Sequence, residues 1–570
     1  MDKRLSLALL LTAAVVAVTP ILFPGSRRTE QPKVDQKTLS SAPRTSPAAA
    51  PSVVGTVPPQ TSPPVVAPGN AQPPGVSVPS ASSDSATAHT VAVVRPELTV
   101  VNTNRATYQF SNVGAAPVAV MMREYRNLAP AGGSVELKNT GRALVQYSIV
   151  TQGDTIRLDR VPFQLTRSQK GASEVLTYRA AVAGLNVAVG YELASDKYLM
   201  GVSGNVEGLT GPAYLLTELP TTLPPAESDT LGDLQALAYS FKPIRDNASG
   251  LGFGKLDPGE KRLEAGPHAW AAVRNKYFVI GLINPQGGVF DEIAFTGGAR
   301  TSKIATHAAA TVVKSMPQGT FEFDIYAGPQ QSTELLSVGR DFDNVNPYGW
   351  SFMQGVVNPI AALCIRLLLW MHENLKLSYG WVLVIFGVMV RIALWPLNQS
   401  AMRSSLKMQE IQPRLAEVQK KYKDKPEKQR EEMMRVYKEA GASPFTALSG
   451  CLPALIPMPV LFALFFVFQN TIEFRGVPFL WLTDISIKDP FYILPVLMGA
   501  SMYVLSWIGL RNAPPNPQAK MMGYMFPVMM TFVLANMASG LNLYYTAQNI
   551  AALPQQWLLA RERAKMRRPT

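Results

Sequence analysis

The run Val388-Met389-Val390-Arg391-Ile392-Ala393-Leu394-Trp395-Pro396 puts one guanidinium inside an otherwise apolar segment. Fourteen uncharged residues separate Arg391 from Lys376, and the next basic residue beyond it is Arg403. An α-helix rises about 1.5 Å per residue and crosses a hydrocarbon core in about 20 residues. With a membrane surface near Gln399, Arg391 would lie roughly 12 Å deep along such a helix. Holding Arg against hydrocarbon costs several kcal/mol. Snorkelling to the interface relieves that cost. A water-filled recess relieves it too, and leaves the guanidinium free to dock acidic groups. The other apolar spans contain no Asp or Glu, which favours an open recess over a buried ion pair.

Working outward, further uncharged intervals hold 33 residues between Glu439 and Glu473, 21 between Asp489 and Arg511, and 40 between Lys520 and Arg561. Forty residues are too many for one crossing, and Ala538-Ser539-Gly540 supplies a break. The expected spans are 376–398, 447–470, 490–509, 520–537 and 541–560. Charge bias sets their direction. The 398–446 loop carries 11 Lys+Arg, and Arg561, Arg563, Lys565, Arg567 and Arg568 crowd the C-terminal tail. Positively charged segments stay on the cytoplasmic side, so both fall inside the cell and the large domain before residue 350 falls outside.

Met1-Asp2-Lys3-Arg4 precedes an uncharged run with no Ala-x-Ala cleavage site, so residues 1–24 read as an uncleaved anchor. Residues 25–95 are rich in Pro, Ala and Ser and read as an extended tether. Residues 96–345 change to strand-like alternation, with Phe321, Phe323 and Ile325 on one face and Tyr277 to Ile283 as a buried strand ended by Asn284-Pro285. That region reads as a β-sandwich domain. Residues 350–375 read as an amphipathic interfacial segment, 376–560 as a five-span all-α core, and 561–570 as a basic tail. Within the core, residues 399–441 form a cytosolic helical hairpin, with Leu415, Val418 and Tyr422 at helical spacing and a break at Asp424-Lys425-Pro426.

Composition agrees with a multi-domain membrane protein. The 570 residues are 47% hydrophobic and 16% charged, against about 25% charged in an average soluble protein. Of the net +13, residues 351–570 hold 23 Lys+Arg against 12 Asp+Glu. A basic excess confined to the apolar third excludes a single soluble globule and argues against a nucleic-acid binder. Two cysteines, Cys364 and Cys451, exclude a disulfide-built scaffold. With four histidines, no His-Glu-x-x-His and no Cys-x-x-Cys, neither a metal nor another cofactor is expected. Gly250-Leu251-Gly252-Phe253-Gly254-Lys255 lacks the first Gly and the Ser/Thr of a phosphate loop, and reads as a turn. Nothing in the chain points to an enzyme.

Polar residues gather on the last spans at Asn536, Ser539, Asn542, Tyr544, Tyr545, Gln548 and Asn549, and Met is dense over 521–537. Helix–helix hydrogen bonding accounts for much of the first set, and lipid contact or a pliant apolar surface for the second.

These motifs carry a specific likeness: Val390-Arg391, Trp395-Pro396-Leu397, Ser443-Pro444, Cys451-Leu452-Pro453 through Pro457-Met458-Pro459, Asp489-Pro490-Phe491 through Leu497-Met498-Gly499, Met525-Phe526-Pro527, and Ser539-Gly540-Leu541-Asn542-Leu543-Tyr544-Tyr545. The chain resembles the YidC/Oxa1/Alb3 family of membrane protein insertases, in the Gram-negative form with a large periplasmic domain. Residues 350–560 carry the match throughout; in the exported part it rests on Trp270, Lys276-Tyr277-Phe278, Gly328-Pro329 and Tyr348-Gly349-Trp350. The resemblance implies a periplasmic β-supersandwich and a five-helix core around a hydrophilic groove open to cytoplasm and lipid. It implies that Arg391 lies in that groove, that clients slide along the third and fifth spans, and that Met458, Asn542, Tyr544 and Tyr545 contact them. Implied partners are nascent membrane proteins, the Sec translocon, membrane lipid, and the ribosome and signal-recognition machinery through the basic hairpin and tail, with the protein working as a monomer. Pro457, Gly387 and Ala538 depart from residues common in relatives, which implies a less polar groove wall.

The expected function is therefore nucleotide-independent insertion and chaperoning of inner-membrane proteins. The alternative is a solute transporter with a fused periplasmic binding domain; it calls for an inverted repeat and midplane polar sites, and the chain shows no such repeat.

Overall fold

The structure is a computed structural model that describes residues 96–300, 304–347, 354–396, 399, 414–415, 417–423, 425–439, 458–511 and 517–566. The expected anchor (1–24) and tether (25–95), and much of the 399–441 hairpin, lie outside the described residues.

Among the described residues, strands from Leu98 to Pro329 form a four-stranded and a 14-stranded antiparallel sheet. Alternation drives them. In Leu185–Leu193, residues Leu185, Val187, Val189, Tyr191 and Leu193 are buried while their neighbours are not. Thr320–Pro329 turns Phe321, Phe323 and Ile325 inward. All six residues of Phe278–Ile283 are buried: the strand is paired along both edges, and both of its faces are covered by the hydrophobic core, with the Phe342 ring against Gly281. The 14-residue strand Lys261–Arg274 pairs with Phe290–Gly297 through its first half and with Phe278–Ile283 through its second. The register against Phe290–Gly297 shifts at Gly266-Pro267, just before the change of partner between His268 and Trp270. A side chain on Gly266 would collide with the carbonyls of Phe290 and Asp291, so the bend needs glycine. The segment expected as a turn at 250–255 is a short edge strand, Ser249–Gly252, leading into a 3₁₀ turn, Phe253–Lys255.

The helical part comprises α1 (Gln354–Leu375), α2 (Tyr379–Ala393), α3 (Pro426–Glu439), α4 (Met458–Asn470), α5 (Ile493–Leu510), α6 (Pro517–Leu534) and α7 (Ser539–Met566). Helix α1 buries one stripe, Val357, Ala361, Cys364, Ile365, Leu368 and Met371, and leaves Leu363 and Trp370 exposed. Helix α2 lies within the expected 376–398 stretch: its regular turns run to Ala393, Leu394 makes a single turn residue, and helix resumes at Trp395-Pro396. The break expected at 538–540 is a turn over 535–538, and α7 begins at Ser539. Helix α7 runs on unbroken to Met566, so the last span and the start of the basic tail are one 28-residue rod.

The helices are apolar on the outside. Val496, Leu497 and Trp507 of α5, and Met522, Phe532 and Val533 of α6, are exposed. A water-soluble domain buries such residues; a bilayer replaces water around them. Helix α3 starts at Pro426, whose missing N–H costs nothing in a first turn. Its Tyr437 packs on Leu415, which closes the described part of the hairpin.

Candidate functional site

Helix α2 carries Arg391 and lies against α7 at van der Waals distance. At Gly387 a Cβ would stand 3.0 Å from the Tyr544 carbonyl oxygen, so the two backbones approach closely only because residue 387 has no side chain. Phe386 and Tyr544 meet ring to ring at 5.9 Å on the same seam. One turn further along α2, Arg391 Nη2 donates to Gln555 Oε1 at 2.6 Å. Gln555 is 1% exposed, and its own Nε2 donates to the Trp395 carbonyl at 3.4 Å. Gln555 follows Pro554, which lacks the N–H that would close the preceding turn of α7.

Arg391 occupies the last turn of α2, where the partial negative charge of the helix C-terminus favours a cation. Its partner is a neutral amide, and its buried Nε has no hydrogen-bond acceptor among the described residues. Among the described residues the charge is thus held in place with no carboxylate to neutralise it.

The other expected site residues lie elsewhere. Asn542, fully buried near the opposite end of α7, donates from Nδ2 to the Leu534 carbonyl at 2.9 Å and so ties the end of α6 to the start of α7. Tyr544 and Tyr545 are buried in the helical core, with their rings 5.2 Å apart. Met458 is the first residue of α4. Tyr544 shares the α2–α7 seam with Arg391, whereas Asn542 lies 13 residues, about 20 Å of helix, from Gln555. Direct client contact by Asn542, Tyr544 or Tyr545 would require the spans to part.

Sequence reading passed over Gln555. The available signal was a Gln-Gln pair after Pro554, on the same span as Gln548 and Asn549.

A second constellation, also not anticipated, joins the loop between α4 and α5 to the β-domain. Ile472 sits in the hydrophobic core of the β-domain. Arg475 Nε donates to Glu227 Oε1 at 2.7 Å, with the two side chains only 6% and 4% exposed. Arg475 Nη2 donates to the carbonyls of Arg126 at 2.8 Å and Ala226 at 3.0 Å, and the guanidinium lies over the Phe278 ring. Burial pushes the Glu227 carboxyl up to about 7, against the opposing pull of Arg475. The rest of the loop closes the near end of the bundle. Asp489 accepts from the backbone N–H of Phe491 and Leu494, starting α5. The Ile487 and Ile485 carbonyls accept from Ser539 N and Gly540 N, the first amides of α7.

A β-sandwich domain clamped to one end of an apolar helical bundle, with an arginine inside it that no described carboxylate neutralises, defines a class of membrane protein. Residues 98–362 match the family described as YidC periplasmic domain, and residues 370–567 match 60Kd inner membrane protein. Over 441 residues the chain is 36% identical to the membrane protein insertase YidC of Chlorobaculum tepidum, covering 73% of this chain and 68% of that protein. Over 442 residues it is 31% identical to the YidC of Chlorobaculum parvum, with the same coverage. A solved structure of an active YidC insertase aligns over 81% of this chain and 93% of its own, at 18% identity and a TM-score of 0.32. The chain belongs to the YidC family of membrane protein insertases. It is an inner-membrane protein with a periplasmic β-sandwich domain and a helical C-terminal core.

Proposed function

We propose that this insertase works by docking the polar or acidic end of an entering chain on Arg391 while the client's apolar segment passes along the helices into lipid. The observation that carries the reading is the Arg391–Gln555 contact. It positions a cation at 2.6 Å from a neutral amide, with no described carboxylate to quench it. The Met-rich outer face of α6, with Met521, Met522, Met525 and Met529 exposed, offers a pliant apolar track. Met458 opens α4, the other helix along that track, and Asn542, Tyr544 and Tyr545 meet the client where the spans part. Burying about 20 apolar residues in hydrocarbon supplies the free energy, so no nucleotide and no covalent step is required.

In this reading both termini and the basic hairpin are cytoplasmic, where ribosome and signal-recognition components reach them. The protein acts as a monomer, alone or beside the Sec translocon. The test is insertion of a single-span client with an acidic tail into vesicles containing only the purified full chain, without nucleotide. Wild type should protect the tail from external protease, Arg391→Ala should lose most of that protection, and Arg391→Lys should restore it. Full activity in Arg391→Ala would sink the docking role.

A further inference from the structure

Between the β-domain and the helix ends lies a cavity of about 760 Å³ that the insertion mechanism does not use. Lys276 lines it from the β-domain, and Asn470, Lys488 and Asn536 line it from the bundle. Asn470 is the last residue of α4, Lys488 lies just ahead of α5, and Asn536 sits in the turn between α6 and α7. All three mark the level at which the apolar helices end, which is the headgroup region of the leaflet on the β-domain side.

The lining has a definite sign. Lys276 and Lys488 bring two ammonium groups. Against them stands one carboxylate among the lining residues, Asp229, whose Oδ1 accepts from Gly232 N at 3.0 Å. Lys276 also faces the Tyr277 ring and the buried carboxyls of Glu227 and Asp233, so the lining carries a net positive charge that rests chiefly on Lys488. Asn470 and Asn536 add amide donors. Below Asn536, the outward face of α6 continues as Val533, Phe532 and Met529, all exposed and apolar. A ligand that fits this layout has a phosphate or similar anionic head at the cavity and hydrocarbon running down α6. The volume lies within the range of small-molecule sites.

We propose that this cavity binds the headgroup of an anionic phospholipid of the β-domain-side leaflet, with Lys276 and Lys488 on the phosphate and the acyl chains against Phe532 and Met529. The bound lipid would bridge the β-domain and the bundle beside the Arg475–Glu227 clamp.

The experiment is native mass spectrometry of the full chain in neutral detergent, titrated with phosphatidylglycerol or with phosphatidylcholine. Wild type should retain phosphatidylglycerol at least tenfold more tightly than phosphatidylcholine, and Lys276→Gln/Lys488→Gln should erase the difference. Lys276 is mostly enclosed, so Lys488→Glu, at an exposed position, serves as the second variant and should weaken retention severalfold on its own. Equal retention of both lipids, or unchanged preference in both variants, overturns the proposal. So does displacement of the lipid by inorganic phosphate at matched concentration, which would show an anion site indifferent to the acyl chains, or by an acidic peptide, which would make the cavity a client contact. The readout is lipid binding and not insertion, so its failure leaves the reading of Arg391 untouched.

Discussion

Arg391 Nη2 and Gln555 Oε1 stand 2.6 Å apart, joining the last turn of α2 to α7 across 164 residues of sequence. The bond orients a cation without cancelling it, since an amide oxygen accepts a hydrogen bond but carries no net charge.

Replacing that amide by a carboxylate should therefore separate orientation from charge. Gln555→Glu keeps the shape and the contact but supplies a counter-ion. Insertion of acidic-tailed clients should fall severalfold, while clients with neutral tails should be affected much less. A vesicle assay comparing the two tails measures this, and an equal loss for both would argue against electrostatic docking.

Glu227 predicts a pH dependence. Burial raises its carboxyl from an ordinary value of 4.5 to about 7, so the folded state holds the proton more tightly than the unfolded chain. Its contribution to stability should rise as pH falls from about 7 towards 4.5 and level off above 7. Burial also raises Asp233 and Glu473, so the measurement is a difference. Thermal melts of wild type and Glu227→Gln between pH 5 and 8 should diverge in slope over that window. Parallel curves would remove Glu227 as the titrating group.

Arg475→Ala should do more than remove a contact. It leaves the Glu227 carboxylate, 4% exposed, without its cation, and frees two backbone carbonyls at once. Breaking one partner of a buried pair costs about 3–5 kcal/mol. Proteolysis of the full chain should show faster cutting within 471–489, with Arg475→Lys intermediate because it cannot reproduce the three-way fork.

Gly387→Val should loosen the seam that positions Arg391. Even a Cβ meets the Tyr544 carbonyl oxygen at 3.0 Å and the Ala547 methyl at 3.3 Å, and valine adds two further carbons. Overpacking of this kind costs about 1–3 kcal/mol. Cross-linking between cysteines placed on α2 and α7 should become slower, and an unchanged rate would mean the seam yields without strain.

Several features were legible in the chain because they depend on local order. The alternation in Thr320–Pro329 places Phe321, Phe323 and Ile325 inward whatever the sheet's partners are, since strand side chains alternate by geometry. That the 40-residue apolar interval breaks once follows from bilayer thickness, and Ala538-Ser539-Gly540 marks the place. The end of α2 was less legible: the apolar run continues past Ala393 without marking the turn residue at Leu394 or the helix that resumes at Trp395-Pro396. Asn542 is a client contact in what the resemblance implies; in the structure its Nδ2 donates to the Leu534 carbonyl eight residues away, while its buried Oδ1 has no partner among the described residues.

By itself, then, the sequence determined the division into a periplasmic β-domain and an apolar helical core, and the presence of one arginine within an apolar helix. Hydrophobic periodicity and charge bias act within a few residues of one another, so they can be read along the chain. Tertiary structure alone decided that Gln555 faces Arg391, that Gly387 lets two backbones touch, and that Arg475 reaches Glu227 from 248 residues away. Those pairings depend on which helix faces which and on how a loop enters a distant core. Hydrogen bonds and ion pairs select partners by distance in space, and no local spacing records that distance.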